Sequence, residues 1–150
     1  MAPVVEEHPE IQVFDEIGLI GVGVRTIITR CLPVGVTYPQ FEVMNYLMRR
    51  GEGQTPAQIA VAVQMTPGAI TNTLQRMEAT GLAGVEPDPV DRRKKRVNLT
   101  PAGRQTYARA MATMKPRMAS LREGFTSKEF REALPFLRAL RAWMHDTAKA

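Results

Sequence analysis

The chain has 150 residues, enough for one domain with a core or for one domain with helical extensions used in pairing. It is 44% hydrophobic and 23% charged, which excludes general disorder, and its uncharged stretches are too short to cross a bilayer. The single cysteine excludes an internal disulfide and, with no export signal in the acidic start, favours the cytoplasm. The net charge of +5 favours a polyanionic partner.

Helix starts are clearly marked along the chain. Thr37, Thr55 and Thr126 are each followed three residues later by Gln or Glu, which is the pattern of a capping box. The predicted helices lie near 10–31, 38–50, 56–63, 67–80, 101–122 and 127–147. Pro116 and Pro135 are expected to kink or break the last two.

Apolar residues recur at steps of three and four in both end regions. One stripe lies in the first helix and two lie in the last helices: Val13, Ile17, Ile20, Val24, Ile27 and Cys31; Tyr107, Met111, Met114, Met118 and Leu121; Phe130, Leu134, Leu137 and Met144. Such stripes are usually core, but three of them exceed what one small core can bury. They predict a homodimer joined through its terminal helices.

The helices near 56–63 and 67–80 are separated by a turn of helix-turn-helix length. The second helix would anchor one face through Ile70, Leu74 and Met77. Its other face offers small or amide-bearing side chains: Gly68, Ala69, Thr71, Asn72 and Gln75. Slim residues with donors and acceptors suit a DNA major groove, although an ordinary exposed helix face has the same composition.

Between Gly81 and Thr100 the pattern changes to two short, partly β-branched runs, 82–85 and 96–99, around a turn with two prolines. This predicts a β-hairpin. Five consecutive cations occupy 92–96, and 15 of the 20 basic residues lie from there to Lys149. Charge alone leaves a solvated loop, a membrane-surface patch and a nucleic-acid contact open.

The run DPVDRR at 88–93, with LTPAGR at 99–104, closely resembles the wing of MarR-type winged-helix regulators. The resemblance covers roughly residues 35–105. It implies a mainly α fold with one β-hairpin wing and with N- and C-terminal dimerisation helices. The corresponding segments are a dimerisation helix and linker at 1–36, a winged helix-turn-helix lobe at 37–104 and dimerisation helices at 105–150.

The resemblance further implies that recognition helices enter successive major grooves while the wings touch the minor groove. Asp91 corresponds to a carboxylate that orients the guanidinium of Arg93 toward that groove, and Arg92 is the neighbour expected to share the role. The full set of expected DNA contacts is Thr55, Thr66, Gly68, Ala69, Thr71, Asn72, Gln75, Arg76, Asp91, Arg92, Arg93, Lys94 and Lys95.

The sequence departs from the family pattern within the wing. The arginine usual near Val85 is missing, and Lys94, Lys95 and Arg96 replace a largely aliphatic stretch. The returning strand is therefore expected to be shorter, or to turn outward and bring extra phosphate contacts.

A pocket for a small aromatic or phenolic effector is also implied, with Arg25, Tyr38, Tyr46 and Tyr107 available as its lining. The alternative is that these residues are simply core at helical spacing. Some MarR-type proteins sense oxidants through a cysteine in the first helix, which makes Cys31 a candidate sensor. The alternative for Cys31 is a small buried hydrophobe.

No catalytic constellation, metal site or cofactor motif is recognisable, because His8 and His145 lie near opposite ends and no phosphate-binding loop occurs. We therefore expect a non-enzymatic dimeric repressor that binds a pseudo-palindromic operator with half-sites about 10–10.5 bp apart. A small effector is expected to release it from the DNA. The alternatives are an oxidant-sensing regulator and a protein-interaction adaptor on the same fold.

Overall fold

The computed structural model describes residues 8–148 and contains six α-helices and one β-hairpin in that range. The elements, in chain order, are α1 (Pro9–Cys31), α2 (Tyr38–Arg50), α3 (Pro56–Val63), α4 (Pro67–Ala79), β1 (Ala83–Pro87), β2 (Lys95–Leu99), α5 (Pro101–Ala119), a 3-10 helix (Ser120–Glu123) and α6 (Ser127–Thr147). The predicted winged-helix class is confirmed, whereas the three-segment division stays a prediction. The acidic start at 1–7 and the last basic residue, Lys149, lie outside the described residues.

The predicted capping boxes fix three helix starts. At Thr37 the side-chain oxygen accepts a hydrogen bond from the backbone N–H of Gln40, whose side chain accepts one from the N–H of Thr37. The same reciprocal pair forms at Thr55 before α3 and at Thr126 before α6. Each box satisfies backbone donors that the first turn of a helix otherwise leaves unpaired.

The two prolines expected to kink or break the last helices do not break them. Pro116 lies inside α5 and Pro135 inside α6, and both helices continue past them. A proline removes one backbone donor, whereas the hydrogen bonds of the neighbouring residues still hold the turns on either side.

The hairpin is longer than the two four-residue runs predicted. β1 pairs antiparallel with β2 from Ala83 opposite Leu99 to Pro87 opposite Lys95. The loop before α3 also joins this sheet, because the N–H of Val97 donates to the carbonyl of Gln54 at 2.8 Å and the N–H of Gly53 donates to the carbonyl of Val97 at 3.0 Å. The wing is therefore tied directly to the start of the helix-turn-helix.

The core lies between α2, α3, α4 and the hairpin. Its most deeply buried members are Met44, Leu47, Ile59, Met77, Val43 and Val97. Tyr107 of α5 stacks on Phe41 with ring centroids 5.8 Å apart, and its hydroxyl donates to Asn45 Oδ1 at 2.9 Å. Tyr107 and Met114 are thus core residues of this chain, so this part of the second apolar stripe needs no second copy to bury it.

The chain divides into two compact units, residues 1–114 and 115–150. In the first unit, α1 exposes several apolar side chains: Ile11, Leu19, Ile20, Val22 and Val24. In the second unit, α6 exposes Phe130, Leu134, Phe136, Leu137 and Met144. Both helices therefore carry substantial apolar surface that the described chain leaves accessible.

We expect Gly103→Ala to destabilise the fold. A Cβ at this position in the first turn of α5 would overlap the backbone carbonyl oxygen of Leu82, which also accepts the N–H of Thr100 at 3.1 Å. Backbone cannot move aside as a flexible side chain does, so the cost should be about 1–3 kcal/mol.

The measurement is the free energy of unfolding in urea, without DNA. Gly68→Ala is the matched control, because Gly68 also lies in a helical first turn after a Thr-Pro start but has open space around its Cβ position. Equal stability of the two variants would contradict the predicted overlap.

Candidate nucleic-acid interface

A tight turn sets α4 against α3. Gln64 adopts a left-handed conformation, with φ of 55°, at the end of α3, and the N–H of Met65 donates to the carbonyl of Ala60 at 2.9 Å. Thr66 then begins α4, and its hydroxyl oxygen accepts the N–H of Ala69 at 3.1 Å. The turn and the cap together set where α3 ends and where α4 begins.

The two faces of α4 are divided as predicted. Ile70, Leu74 and Met77 are buried, whereas the residues expected to contact DNA are all exposed: Gly68, Ala69, Thr71, Asn72, Gln75 and Arg76. The Thr71 hydroxyl donates to the carbonyl of Pro67 at 2.9 Å and keeps lone pairs free to accept a further hydrogen bond. A slim polar edge therefore faces outward.

Thr55 and Thr66, also on the predicted DNA list, have a different position. Each stands at a helix start with its hydroxyl oxygen accepting a backbone N–H of the same helix. Their side chains cap the first turns of α3 and α4. This role does not require either residue to contact a base.

Asp91 and Arg93 form a two-point ion pair at the hairpin turn. Arg93 Nε and Nη2 donate to the two carboxylate oxygens of Asp91 at 3.0 and 3.2 Å, and the N–H of Arg93 donates to Asp91 Oδ1 at 3.1 Å. These bonds from Arg93 lower the pKa of Asp91. The Arg93 side chain is 90% exposed, so a fixed guanidinium projects into solvent.

The buried carboxylate of Asp88 supports the backbone of this ion pair. The sequence pattern did not identify Asp88 as a site residue. Asp88 is buried, and its Oδ1 accepts the N–H groups of Val90 and Asp91 at 2.8 and 2.9 Å. Its Oδ2 accepts Arg96 Nε. The two backbone N–H groups, followed by Arg96, lower the pKa of Asp88 to about 2, so this carboxylate is ionised at neutral pH.

Arg96 departs from the expectation for the basic run. The returning strand is not shortened, since β2 begins at Lys95, and the Arg96 side chain turns to Asp88 and to the Gly53 carbonyl, to which Nη1 donates at 2.8 Å. The four cations at 92–95 are exposed. The turn therefore presents these four cations outward, whereas Arg96, whose side chain is 43% exposed, is held by the buried Asp88 carboxylate and the Gly53 carbonyl.

A groove of about 660 Å³ lies beside α4 in the first unit. Its wall includes Arg25 of α1, Tyr38 and Glu42 of α2, and Asn72 and Arg76 of α4. The Arg25 guanidinium lies over the Tyr38 ring, 4.8 Å from its centre. Burial raises the pKa of Glu42 and, with the charge of Glu42, that of the Tyr38 hydroxyl.

Of the four predicted effector contacts, Arg25 and Tyr38 line this groove. Tyr46 is half-buried and Tyr107 is buried in the core, and neither lines it. The groove instead includes Ala69, Asn72 and Arg76, three residues of the predicted DNA surface. The sequence offered no sign of this overlap, because it depends on how α1 and α2 pack beside α4.

Three remaining observations concern metal-ligating side chains, the thiol of Cys31 and helix hydropathy. Among residues 8–148, no group of three or more His, Cys, Asp or Glu side chains is placed to hold a metal ion. Cys31 is 3% exposed and packs in the core. No described helix is long and apolar enough to span a membrane.

Comparisons with known proteins agree with this geometry. The MarR family model matches residues 34–94, which span α2 to the hairpin turn. Among curated proteins, none matches the chain by sequence.

Several solved structures are similar over most of their length. A MarR family transcription regulator has 27% identity, with 95% of this chain and 96% of that one covered, at a TM-score of 0.72. The transcriptional repressor CouR, bound to a 23-mer DNA duplex, has 26% identity over 85% and 89% of the two chains, at 0.68. BpsR of Bordetella bronchiseptica, whose DNA binding is regulated by 6-hydroxynicotinic acid, has 24% identity over 91% and 98%, at 0.70.

Proposed function

We propose that the chain, whose residues 34–94 match the MarR family model, is a cytoplasmic homodimeric repressor of that family that binds a pseudo-palindromic operator and is released by a small aromatic acid. The proposal that the chain binds DNA rests on two exposed features of the same unit. They are the slim polar face of α4 and the Arg93 guanidinium held by Asp91 at the hairpin turn. The proposal contains no catalytic step.

The two elements suit different grooves of the duplex. Asn72 and Gln75 carry amides that bond an adenine edge at two points in the major groove, and Gly68 and Ala69 leave room for close approach. Arg93 suits a narrow, A·T-rich minor groove, where the negative potential is concentrated and a guanidinium is more easily dehydrated than an ammonium. Arg92, Lys94 and Lys95 add phosphate contacts.

The exposed apolar faces of α1 and α6 support the dimer. Monomeric proteins seldom leave large contiguous apolar patches in water, and a two-fold pair of chains would cover such faces. Two-fold symmetry in turn requires half-sites about 10–10.5 bp apart, so that both copies of α4 meet the same side of the duplex.

We expect Arg93→Ala and Asn72→Ala to weaken DNA binding in different ways. Arg93→Ala should reduce affinity mostly for sites with A·T-rich flanks, because those flanks narrow the minor groove. Asn72→Ala should relax base preference, by about 1–3 kcal/mol for each lost two-point contact.

The measurement is a titration of a duplex selected from a random pool by the wild-type protein, at two salt concentrations and with A·T-rich or G·C-rich flanks. Binding should fall steeply with salt through counterion release. Arg93→Lys keeps the charge but removes the guanidinium, and Lys128→Ala removes an exposed cation of the second unit. These two controls distinguish a specific contact of the Arg93 guanidinium from an effect of net charge. Equal losses on every duplex for both main variants would contradict the assignments, and no affinity for duplex DNA would favour the adaptor alternative.

We expect Leu137→Lys on α6 to convert the dimer to monomers. A charge on this exposed apolar face opposes its burial, and two-fold symmetry places the substitution in the interface twice, so the loss should reach about 3 kcal/mol or more. Sedimentation velocity measures the change. Val34→Lys, at a fully exposed apolar loop residue, is the control. A wild-type protein that sediments as a monomer would refute the dimer.

The groove beside α4 is the proposed effector site. Arg25 and Arg76 can bind a carboxylate, while the Tyr38 ring and Met65 offer apolar surface to an aromatic ring. The DNA binding of BpsR is regulated by 6-hydroxynicotinic acid, which is an aromatic acid. Because Asn72 and Arg76 belong to both surfaces, an occupied groove would compete with DNA directly.

We expect 6-hydroxynicotinic acid, used as a probe, to bind the wild-type protein and raise its apparent Kd for DNA. Arg25→Ala should weaken probe binding about tenfold or more, since it removes a charge-assisted hydrogen bond, while leaving DNA affinity near wild type. Calorimetry measures the probe and anisotropy measures the DNA. The corresponding amide should bind poorly, and Arg30→Ala, an exposed arginine of α1 outside the groove wall, should behave as wild type. Probe binding that is unaffected by Arg25→Ala would exclude this site.

Oxidant sensing through Cys31 is the less favoured regulation. Its thiol is buried among apolar residues, which limits the access of peroxide. If peroxide released DNA from the wild-type protein but not from Cys31→Ser, oxidation of Cys31 would replace effector binding as the proposed cause of release.

A further inference from the structure

The side chains of the basic run divide into two groups. Lys94 and Lys95 are exposed, whereas the Arg96 side chain, itself 43% exposed, donates to Asp88, whose side chain is only 4% exposed. Because Arg96 is paired with this carboxylate, it contributes less positive field to a polyanion outside than an unpaired cation would. Its placement therefore calls for a different role from that of its neighbours.

We propose that Asp88 and Arg96 form a latch that holds the wing turn in the conformation in which Arg93 meets DNA. The inference rests on the proposed minor-groove contact of Arg93 and adds two positioning residues to it. Neither residue needs to touch the duplex.

A continuous series of bonds connects the helix-turn-helix to Arg93. Arg96 Nη1 donates to the carbonyl of Gly53, two residues before the cap of α3, and Arg96 Nε donates to Asp88. Asp88 in turn accepts the N–H groups of Val90 and Asp91. Asp91 then orients Arg93 at two points. Every bond in the series crosses a turn or joins two segments of chain.

The chemistry of the two groups is specific. One guanidinium reaches two acceptors in different directions, the Asp88 carboxylate and the Gly53 carbonyl, which the single nitrogen of a lysine cannot do in the same geometry. The carboxylate of Asp88 accepts from three donors at once. An asparagine would retain one acceptor oxygen and place an NH₂ group against another donor.

Fixing the turn matters for binding because an ordered Arg93 loses less conformational freedom when it meets the duplex. Without the latch, the turn and Arg93 would have to become ordered at the moment of binding. The expected penalty is about three- to tenfold in affinity. It should be confined to duplexes on which Arg93 acts.

The test is a double-mutant cycle of Asp88→Asn and Arg93→Ala on the selected duplex with A·T-rich flanks, with the same core in G·C-rich flanks as reference. We expect Asp88→Asn to lose affinity on A·T-rich flanks, to lose little on G·C-rich flanks, and to cause no further loss when Arg93 is already alanine. Arg96→Gln should repeat this pattern. Lys95→Gln, which removes an exposed cation from the adjacent position, should weaken both duplexes equally.

The outcomes separate the latch from the function on which it rests. If Arg93→Ala itself binds both duplexes like wild type, the proposed wing contact is wrong. If Arg93→Ala loses affinity but Asp88→Asn and Arg96→Gln do not, the latch is wrong and the wing contact stands. Equal losses on both flanks, or a further loss in the double variant, would also overturn the latch. If Asp88→Asn fails to fold, Arg96→Gln takes its place in the cycle.

Discussion

The burial of one face of α4 is the constraint on which the rest of the structure depends. Ile70, Leu74 and Met77 enter a core shared with α2, α3 and the hairpin, and this fixes the rotation of the helix about its axis. A different rotation of the helix would place an apolar side chain in water or an amide in the core, and either change costs free energy. The outward position of Asn72 and Gln75 is thus a consequence of what the opposite face buries.

The same core positions the wing. Val97 of β2 is fully buried, and its backbone N–H and carbonyl bind the loop that precedes α3. A hairpin attached only at its two ends would swing, whereas this one is held along one strand by a neighbouring segment. The helix α4 and the cationic turn therefore form parts of one framework, which the proposed contact with two grooves of a duplex requires.

Much of this arrangement follows from local sequence signals. Capping boxes, apolar residues at steps of three and four and short β-branched runs are local features. They located the six helices and the hairpin of the described residues. The partnership of Asp88 with Arg96 was not predictable in the same way, because it depends on the hairpin register and on a turn that buries a carboxylate. Tyr107 shows the converse difficulty: a stripe at helical spacing looks the same whether it faces its own core or a second chain, and here it stacks on Phe41.

The contact between Gln54 and Val97 also affects the behaviour of the sheet toward other molecules. An open strand edge offers unpaired amides and carbonyls that can template the addition of a foreign strand. At Val97, in the middle of β2, both groups on the side away from β1 are already occupied by the loop of the same chain. The two-stranded wing is therefore protected against edge-to-edge association along the part closest to the core.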